Sequence, residues 1–279
     1  MRLLAFLLVI SSNSNAIDVQ GHRGTRGHLP ENTLPAFQRA LELGVDTLEL
    51  DCGVTKDGVV VVHHDRRLNP DLARGPDGNW VSSPGPTIRS LTYAELQRYD
   101  VGRLRPGSEY AKRFPRQQAM DGTRIPRLEE VLQLKSKFNI ETKLLPTHAE
   151  ETVGPEEFAR ALIREIRKAR AKATIQSFDW RTLKVVEREA PEIPTVYLTE
   201  SRNADPQKVQ AAGGRIWSPG FVDVNTDNLE RARSLGMKVV VWTVNEPADI
   251  ARMIDLQVDG IISDYPDRVL AELKRRGAR

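Results

Sequence analysis

Short aliphatic, β-branched runs alternate along the chain with stretches whose apolar positions recur every three or four residues, from residue 17 almost to the end. The first pattern reads as a buried strand and the second as an amphipathic helix. Strands are predicted over 17–20, 47–54, 138–143, 173–177, 195–198, 215–218, 238–242 and 259–263, and helices over 35–43, 128–135, 156–169, 180–189, 205–212, 227–235, 247–256 and 267–274. The first helix follows Asn32 and Thr33, with Asn32 a candidate cap, and stops at Gly44. Lys56-Asp57-Gly58 marks a tight turn, so 59–63 either extends the second strand or folds back on it as a hairpin. Eight strands alternating with eight helices predict an α/β fold whose parallel sheet closes into a (β/α)8 barrel. A doubly wound open sheet is the alternative, but no Gly-x-Gly-x-x-Gly turn follows any strand.

Two segments break the rhythm. Residues 66–127 hold 7 of the 17 prolines and 5 of the 16 aromatic residues without a strand–helix unit. A structureless loop of that length is uncommon. Within it Thr92-Tyr93-Ala94-Glu95 has the form of a capping box, with Leu91, Leu96 and Tyr99 on one face of a short helix. Because it follows the second strand, this long insertion is expected to cap the C-terminal mouth of the barrel, where sites are built; a mobile surface loop is the other reading. The second segment is the start. Arg2 leads an apolar run from Leu3 to Ile10, and small polar residues follow, ending Ser14-Asn15-Ala16. That is the layout of a signal peptide over 1–16, cleaved after Ala16, although an apolar first strand or a chance start site has the same appearance. Removing sixteen of the 279 residues leaves 263, one barrel domain over 17–279.

Composition narrows the partners. Hydrophobic residues make up 39% of the chain and charged residues 28%, enough for a sizeable core. A net charge of only +3, with the signs interspersed, is a poor nucleic-acid signature. The apolar leader is too short to span a bilayer, so no stable membrane anchor is expected. Cys52 is the single cysteine, which rules out an internal disulfide and any thiolate metal cluster.

The candidate chemistry sits at strand ends. Glu49 and Asp51 lie two apart and share one face, while Leu50 and Cys52 share the other. Glu141 and Lys143 repeat the spacing one strand later. Inward carboxylates repel one another and lose hydration, which a hard divalent cation relieves: Mg²⁺, Ca²⁺ or Mn²⁺ rather than zinc. An ion-pair network with Lys143 and no metal is the competing account. His22 follows the first strand and His64 the second, a spacing that suits a general acid and base across a substrate. If the strand continues through both, His63 and His64 point to opposite faces, so one of the two is read as a bystander. Arg23 offers a planar fork for phosphate, or a partner for a buried carboxylate such as Glu31.

These motifs carry a resemblance. Gly21-His22-Arg23-Gly24, then Pro30-Glu31-Asn32-Thr33, Asp46, Glu49, Asp51, Thr55, Asp57-Gly58 and His64-Asp65 resemble the opening signature of the glycerophosphodiester phosphodiesterase family. Asn139-Ile140-Glu141-Thr142-Lys143, Gln176-Ser177-Phe178, Trp242-Thr243-Val244-Asn245 and Asp259-Gly260-Ile261-Ile262-Ser263-Asp264-Tyr265-Pro266 are similar to its later motifs, in order, to about residue 270. The resemblance implies a TIM barrel that hydrolyses glycerophosphodiesters to glycerol 3-phosphate and an alcohol. It implies Glu49, Asp51 and Glu141 as metal ligands, His22 and His64 as the catalytic pair, and Arg23 and Lys143 as phosphate contacts. Trp242 matches a residue near the glycerol pocket, and Glu31 and Asn32 are read as fixing the loop that carries His22. With the leader, it describes an exported enzyme, periplasmic or secreted. A related phospholipase acting on lysophospholipids or other lipid phosphodiesters, a non-catalytic phosphoester-binding protein and a metal-dependent sugar-processing barrel are the other functions considered.

Overall fold

The computed structural model describes residues 16–279, so the leader expected over 1–16 lies, except for Ala16, outside the described residues. Nine strands form one sheet: β1 (Asp18–Gly21), β2 (Thr47–Val54), β3 (Val60–Val62), β4 (Lys137–Thr142), β5 (Lys172–Ser177), β6 (Thr195–Thr199), β7 (Ile216–Pro219), β8 (Lys238–Val241) and β9 (Gly260–Ser263). Eight of them pair in parallel, and β1 bonds both β2 and β9, so the sheet closes on itself as a (β/α)8 TIM barrel. The ninth, β3, is the hairpin partner of β2, antiparallel with Cys52 opposite Val62 and Val54 opposite Val60. Its turn is made by Gly58, whose φ of +78° is readily adopted only without a side chain.

The first helix, Leu34–Leu43, shows how local sequence sets an element. Thr33 caps it through its hydroxyl and Gly44 ends it in the left-handed conformation, with Ala36, Phe37 and Ala40 buried against the sheet. The expected cap Asn32 is therefore displaced by one residue. Its own φ of +56° is not that of an N-cap, and its side chain instead donates to Asp51 at 2.9 Å.

Leu48, Leu50, Cys52, Phe138, Ile140 and Ile175 face outward into the layer beneath the helices, in one continuous apolar core. The alternate positions on the same strands point into the barrel and are polar. A ladder of amides fills that interior: Gln20 Nε2 donates to Asp18 (2.7 Å), Asn139 Nδ2 reaches both Gln20 and Gln176 (3.0 Å each), and Gln176 Nε2 donates to Glu49 (2.7 Å). Buried polar groups are tolerated because each finds a partner.

Residues 66–127 pack around Val61 of β3 to form a second, smaller core with Leu68, Ala73, Val81, Ile88, Leu96 and Ile125. The capping box at Thr92 is present and starts the helix Tyr93–Leu96; a second short helix spans Glu109–Arg113. Arg66 and Arg67 fasten the segment to the buried Glu151, and the backbone N–H of Gln118 donates to His28 across the barrel mouth. It packs as a unit rather than as a loose loop. Among the described residues no helix is long and apolar enough to cross a membrane.

Candidate active site

A cavity of about 300 Å³ opens at the C-terminal end of the strands, lined among others by His22, Arg23, Glu49, His64, Glu141, Lys143 and Trp242. Asp51 lies just behind its wall, 1% exposed. All eight residues singled out in the sequence are therefore together, and register explains how. β2 and β4 pair with Asp51 opposite Glu141, so two inward carboxylates from different strands meet at the same height, with Glu49 one pleat below.

Carboxylate oxygens of Glu49, Asp51 and Glu141 all lie within 4.8 Å of one another. Lys143 Nζ contacts Glu141 at 2.6 Å and Asp51 Oδ1 at 3.6 Å, and Arg23 Nε is 3.2 Å from Asp51 Oδ2. The charges do not fully balance. Burial, with Asp51 alongside, pushes Glu49 well above the usual carboxylate range, and burial pushes Glu141 up to about 7. Asp51 stays ionised against its own burial because Arg23, His64 and Lys143 surround it. Asp51 Oδ1 is buried without a hydrogen-bond partner, as is Arg23 Nε. An oxygen-only donor set with one orphaned, ionised oxygen fits a hard divalent cation, so a purely organic ion-pair network leaves this site incompletely satisfied.

Each histidine is held by an aspartate. His22 Nδ1 sits 2.6 Å from Asp264 Oδ1, and His64 Nδ1 2.6 Å from Asp65 Oδ1. With Nδ1 carrying the proton toward the carboxylate, Nε2 is the atom left to exchange one. His22 Nε2 lies 3.9 Å from Glu49. Burial lowers the His22 imidazole to about 4, against the opposing pull of Asp264, and lowers His64 as well. Asp264 itself is held far below its usual range: burial resists ionisation, but Arg26 grips it with two bonds of 2.8 and 3.0 Å, and His22 adds a third contact. His63 is buried and does not line the cavity.

Arg23 takes up both expected positions. It faces the cavity, yet its Nη1 donates to Glu31 at 2.7 Å. Its φ is +49°, and its backbone N–H donates to Glu49 Oε2 at 2.9 Å, so the turn that presents the guanidinium also orients the carboxylate. The next residue, Gly24, has φ +83°, and a Cβ there would stand 2.7 Å from the Ala36 backbone, which leaves glycine as the fit. From the insertion, Tyr110 donates to Glu31 and accepts from Arg26, while Asn69 donates to Asp65 at 2.8 Å. Trp242 and Phe178 meet edge-on at 5.4 Å as an apolar wall.

Sequence reasoning assigned no role to Asp264, Asp65, Gln176, Arg26 or Tyr110. Two of them carried a signal: Asp65 and Asp264 are carboxylates immediately beyond a strand or within a closing motif, the position at which barrel enzymes gather polar groups.

Comparison with known proteins agrees with this geometry. The chain is 31% identical over 268 residues to a glycerophosphodiester phosphodiesterase of Bacillus subtilis (strain 168), covering 88% of this chain and 83% of that protein. A crystal structure of a candidate glycerophosphoryl diester phosphodiesterase from Silicibacter pomeroyi DSS-3 superposes with a TM-score of 0.88 at 37% identity, covering 94% of this chain and 95% of that one. A phosphodiesterase from Oleispira antarctica, in complex with the product sn-glycerol-3-phosphate, shares the fold at 22% identity and a TM-score of 0.73, covering 92% and 96%. The sequence model of the glycerophosphoryl diester phosphodiesterase family matches residues 22–268, from the first histidine to beyond the last strand, and the chain belongs to that family of hydrolases.

Proposed function

We propose that the protein hydrolyses glycerophosphodiesters to glycerol 3-phosphate and an alcohol, with His22 and His64 as the acid–base pair. The reading is carried by the convergence on one cavity of two aspartate-held imidazoles, two cationic side chains and a carboxylate trio. A phosphodiester anion repels nucleophiles, so its non-bridging oxygens must be neutralised before attack. Arg23, a planar and permanently charged fork, and Lys143, a mobile ammonium, are suited to that task. Glu49, Asp51 and Glu141 would hold one divalent cation, Mg²⁺ or Ca²⁺, with Mn²⁺ a further candidate; bound there, it supplies Lewis-acid neutralisation of the phosphoryl charge. One imidazole Nε2 takes the proton from the attacking oxygen and the other returns a proton to the leaving alkoxide. Trp242 and Phe178 offer an apolar face for the glycerol carbons. The attacking oxygen belongs to water or to the glycerol 2-hydroxyl, and a phosphodiester lacking that hydroxyl separates the two routes.

Residues 66–127 serve as a cap on the single barrel domain, and residues 1–16 as a signal peptide that sends it to the periplasm or the medium. A mature protein beginning at Ile17 is the expected mass-spectrometric result. The partner is a small molecule; no nucleic acid and no stable membrane anchor enters the scheme. The deciding assay couples release of glycerol 3-phosphate from glycerophosphocholine to a dye, before and after chelation and with each metal restored. Glu49→Gln and Glu141→Gln should weaken metal binding measured directly by calorimetry, and Lys143→Met should spare it while impairing turnover. Full activity in exhaustively chelated, metal-free protein would overturn the metal assignment. Lysophosphatidylcholine in the same panel tests the lipid-hydrolysing alternative.

A further inference from the structure

The segment over the mouth is far more basic than the barrel beneath it. Residues 66–127 hold twelve Lys and Arg against six Asp and Glu, whereas the rest of the chain holds 29 against 32. Several of these bases meet carboxylates: Arg66 and Arg67 meet Glu151, Arg74 and Arg103 meet Asp121, and Arg127 meets Glu130. Arg113 and Arg116 do not. Among the described residues neither makes an ion pair; their guanidinium groups lie over aromatic rings, Arg113 at 5.7 Å from Tyr110 and 5.6 Å from Phe114, Arg116 at 5.1 Å from Tyr265. Stacking holds such a group in place while its N–H donors stay free at the edge.

These two arginines, with Lys112 and Arg268, line a second cavity of about 340 Å³. Its two acidic groups do not cancel them. The oxygens of Asp264 are taken by His22, Arg26 and Asn245, and Glu246 is largely exposed beside Arg268 at 3.5 Å. The cavity adjoins the catalytic one: Arg113 lines both, and Phe114, in the wall of the second, carries Arg26 of the first over its ring at 4.6 Å.

We propose that this second cavity is a head-group subsite for leaving alcohols that bear an additional anionic group, a carboxylate or a phosphate monoester. It rests on the proposed hydrolysis of glycerophosphodiesters and names the members of that class the enzyme favours. With the diester phosphate held by Arg23 and Lys143, an alcohol directed toward the cap meets unpaired guanidinium donors. A concave pocket suits a small anion better than a membrane surface, and the large apolar side chains that protrude from the molecule, Met120, Leu145, Phe178 and Val222, do not line it.

Two substrate pairs test the subsite, each differing by one anionic group: glycerophosphoethanolamine against glycerophosphoserine, and glycerophosphoinositol against its 4-phosphate. At low ionic strength kcat/KM should favour the anionic member of each pair by about tenfold, the worth of one or two partly exposed charge-assisted contacts. The preference should collapse toward parity in 1 M salt, where the screening length is about 3 Å. In the Arg113→Gln/Arg116→Gln double variant, kcat/KM for the anionic members should fall about tenfold further than for their partners, chiefly through KM. Equal rates within both pairs, or a double variant that keeps the wild-type preference, would overturn the subsite. So would binding of the wild type, but not the double variant, to vesicles of anionic phospholipid without any substrate preference, since the arginines would then face a membrane. Turnover of glycerophosphoethanolamine is the internal control: its absence overturns the proposed function together with the subsite, and its presence without preference overturns the subsite alone.

Discussion

Replacing Asp264 with Asn tests how the first histidine is held. The carboxylate is 1% exposed and accepts four bonds, from His22 Nδ1 (2.6 Å), Arg26 Nε and Nη2 (2.8 and 3.0 Å) and Asn245 Nδ2 (2.8 Å). An amide keeps the shape but turns one acceptor into a donor that faces another donor, and leaves the buried Arg26 charge unpaired. Breaking a buried pair in this way costs about 3–5 kcal/mol. At roughly 2 °C per kcal/mol for a chain of this size, the melting temperature should fall by about 6–10 °C. The His22 ring also loses the acceptor that fixes its tautomer, so kcat should drop on the order of a hundredfold or more. An Arg26→Met/Asp264→Asn double variant separates the two effects. With the orphaned charge gone, much of the melting temperature should return, while kcat stays low because His22 still lacks its carboxylate. Differential scanning fluorimetry and the glycerol 3-phosphate assay read both quantities. An unchanged melting temperature in Asp264→Asn, or a kcat restored in the double variant, would refute the reasoning.

His22→Ala and His64→Ala should each lower kcat on the order of a hundredfold or more with folding intact, whereas His63→Ala, a buried residue outside the cavity, should act on thermal stability rather than on rate; the reverse ranking would place the hairpin strand β3 one residue out of register. Cys52 is buried in the apolar core, and burial raises its thiol well above the ordinary value, so labelling of the native protein should be slow and become fast only on unfolding. Asp264 and Asp65 are ionised more readily folded than unfolded, so the stability they contribute is fully present above the unfolded carboxylate value near pH 4 and is lost as pH falls through their depressed folded values. Melting temperature should therefore decline below about pH 4, less steeply in Asp264→Asn; a flat profile from pH 5 to pH 3 would contradict the assignment.

Strand and helix periods made the barrel legible because each of the eight parallel strands has a helix whose apolar stripe must cover it. The alternation of Glu49 and Asp51 against Leu50 and Cys52 was legible for the same reason. What periodicity does not encode is register between strands. That Asp51 stands opposite Glu141, or that Gln176 reaches Glu49, depends on how far one strand slides past the next. Contacts across long separations were out of reach too: His22 and Asp264 are 242 positions apart, and Tyr110 and Glu31 are 79. In the insertion no element is long enough to show a period, so only its one capping box was readable. Asn32 shows the opposite failure, a good capping residue drawn away by a stronger call on its amide from Asp51. Motif resemblance, rather than periodicity, assigned the roles of Trp242 and Lys143.

The seam where the barrel closes sets when the chain becomes an enzyme. His22 leaves β1 near the start of the described chain, and its carboxylate partner follows β9 near the end, with β1 and β9 paired over four residues. A ribosome that has released only the first seven strands has made Glu49, Asp51, His64, Glu141 and Lys143, but neither the edge that docks on β1 nor the group that aims the first imidazole. Nascent chains and C-terminal truncations before Asp264 should therefore be inert in the glycerol 3-phosphate assay, however well their carboxylates assemble. That arrangement should keep phosphodiesters untouched by the growing chain until its last strand is in place.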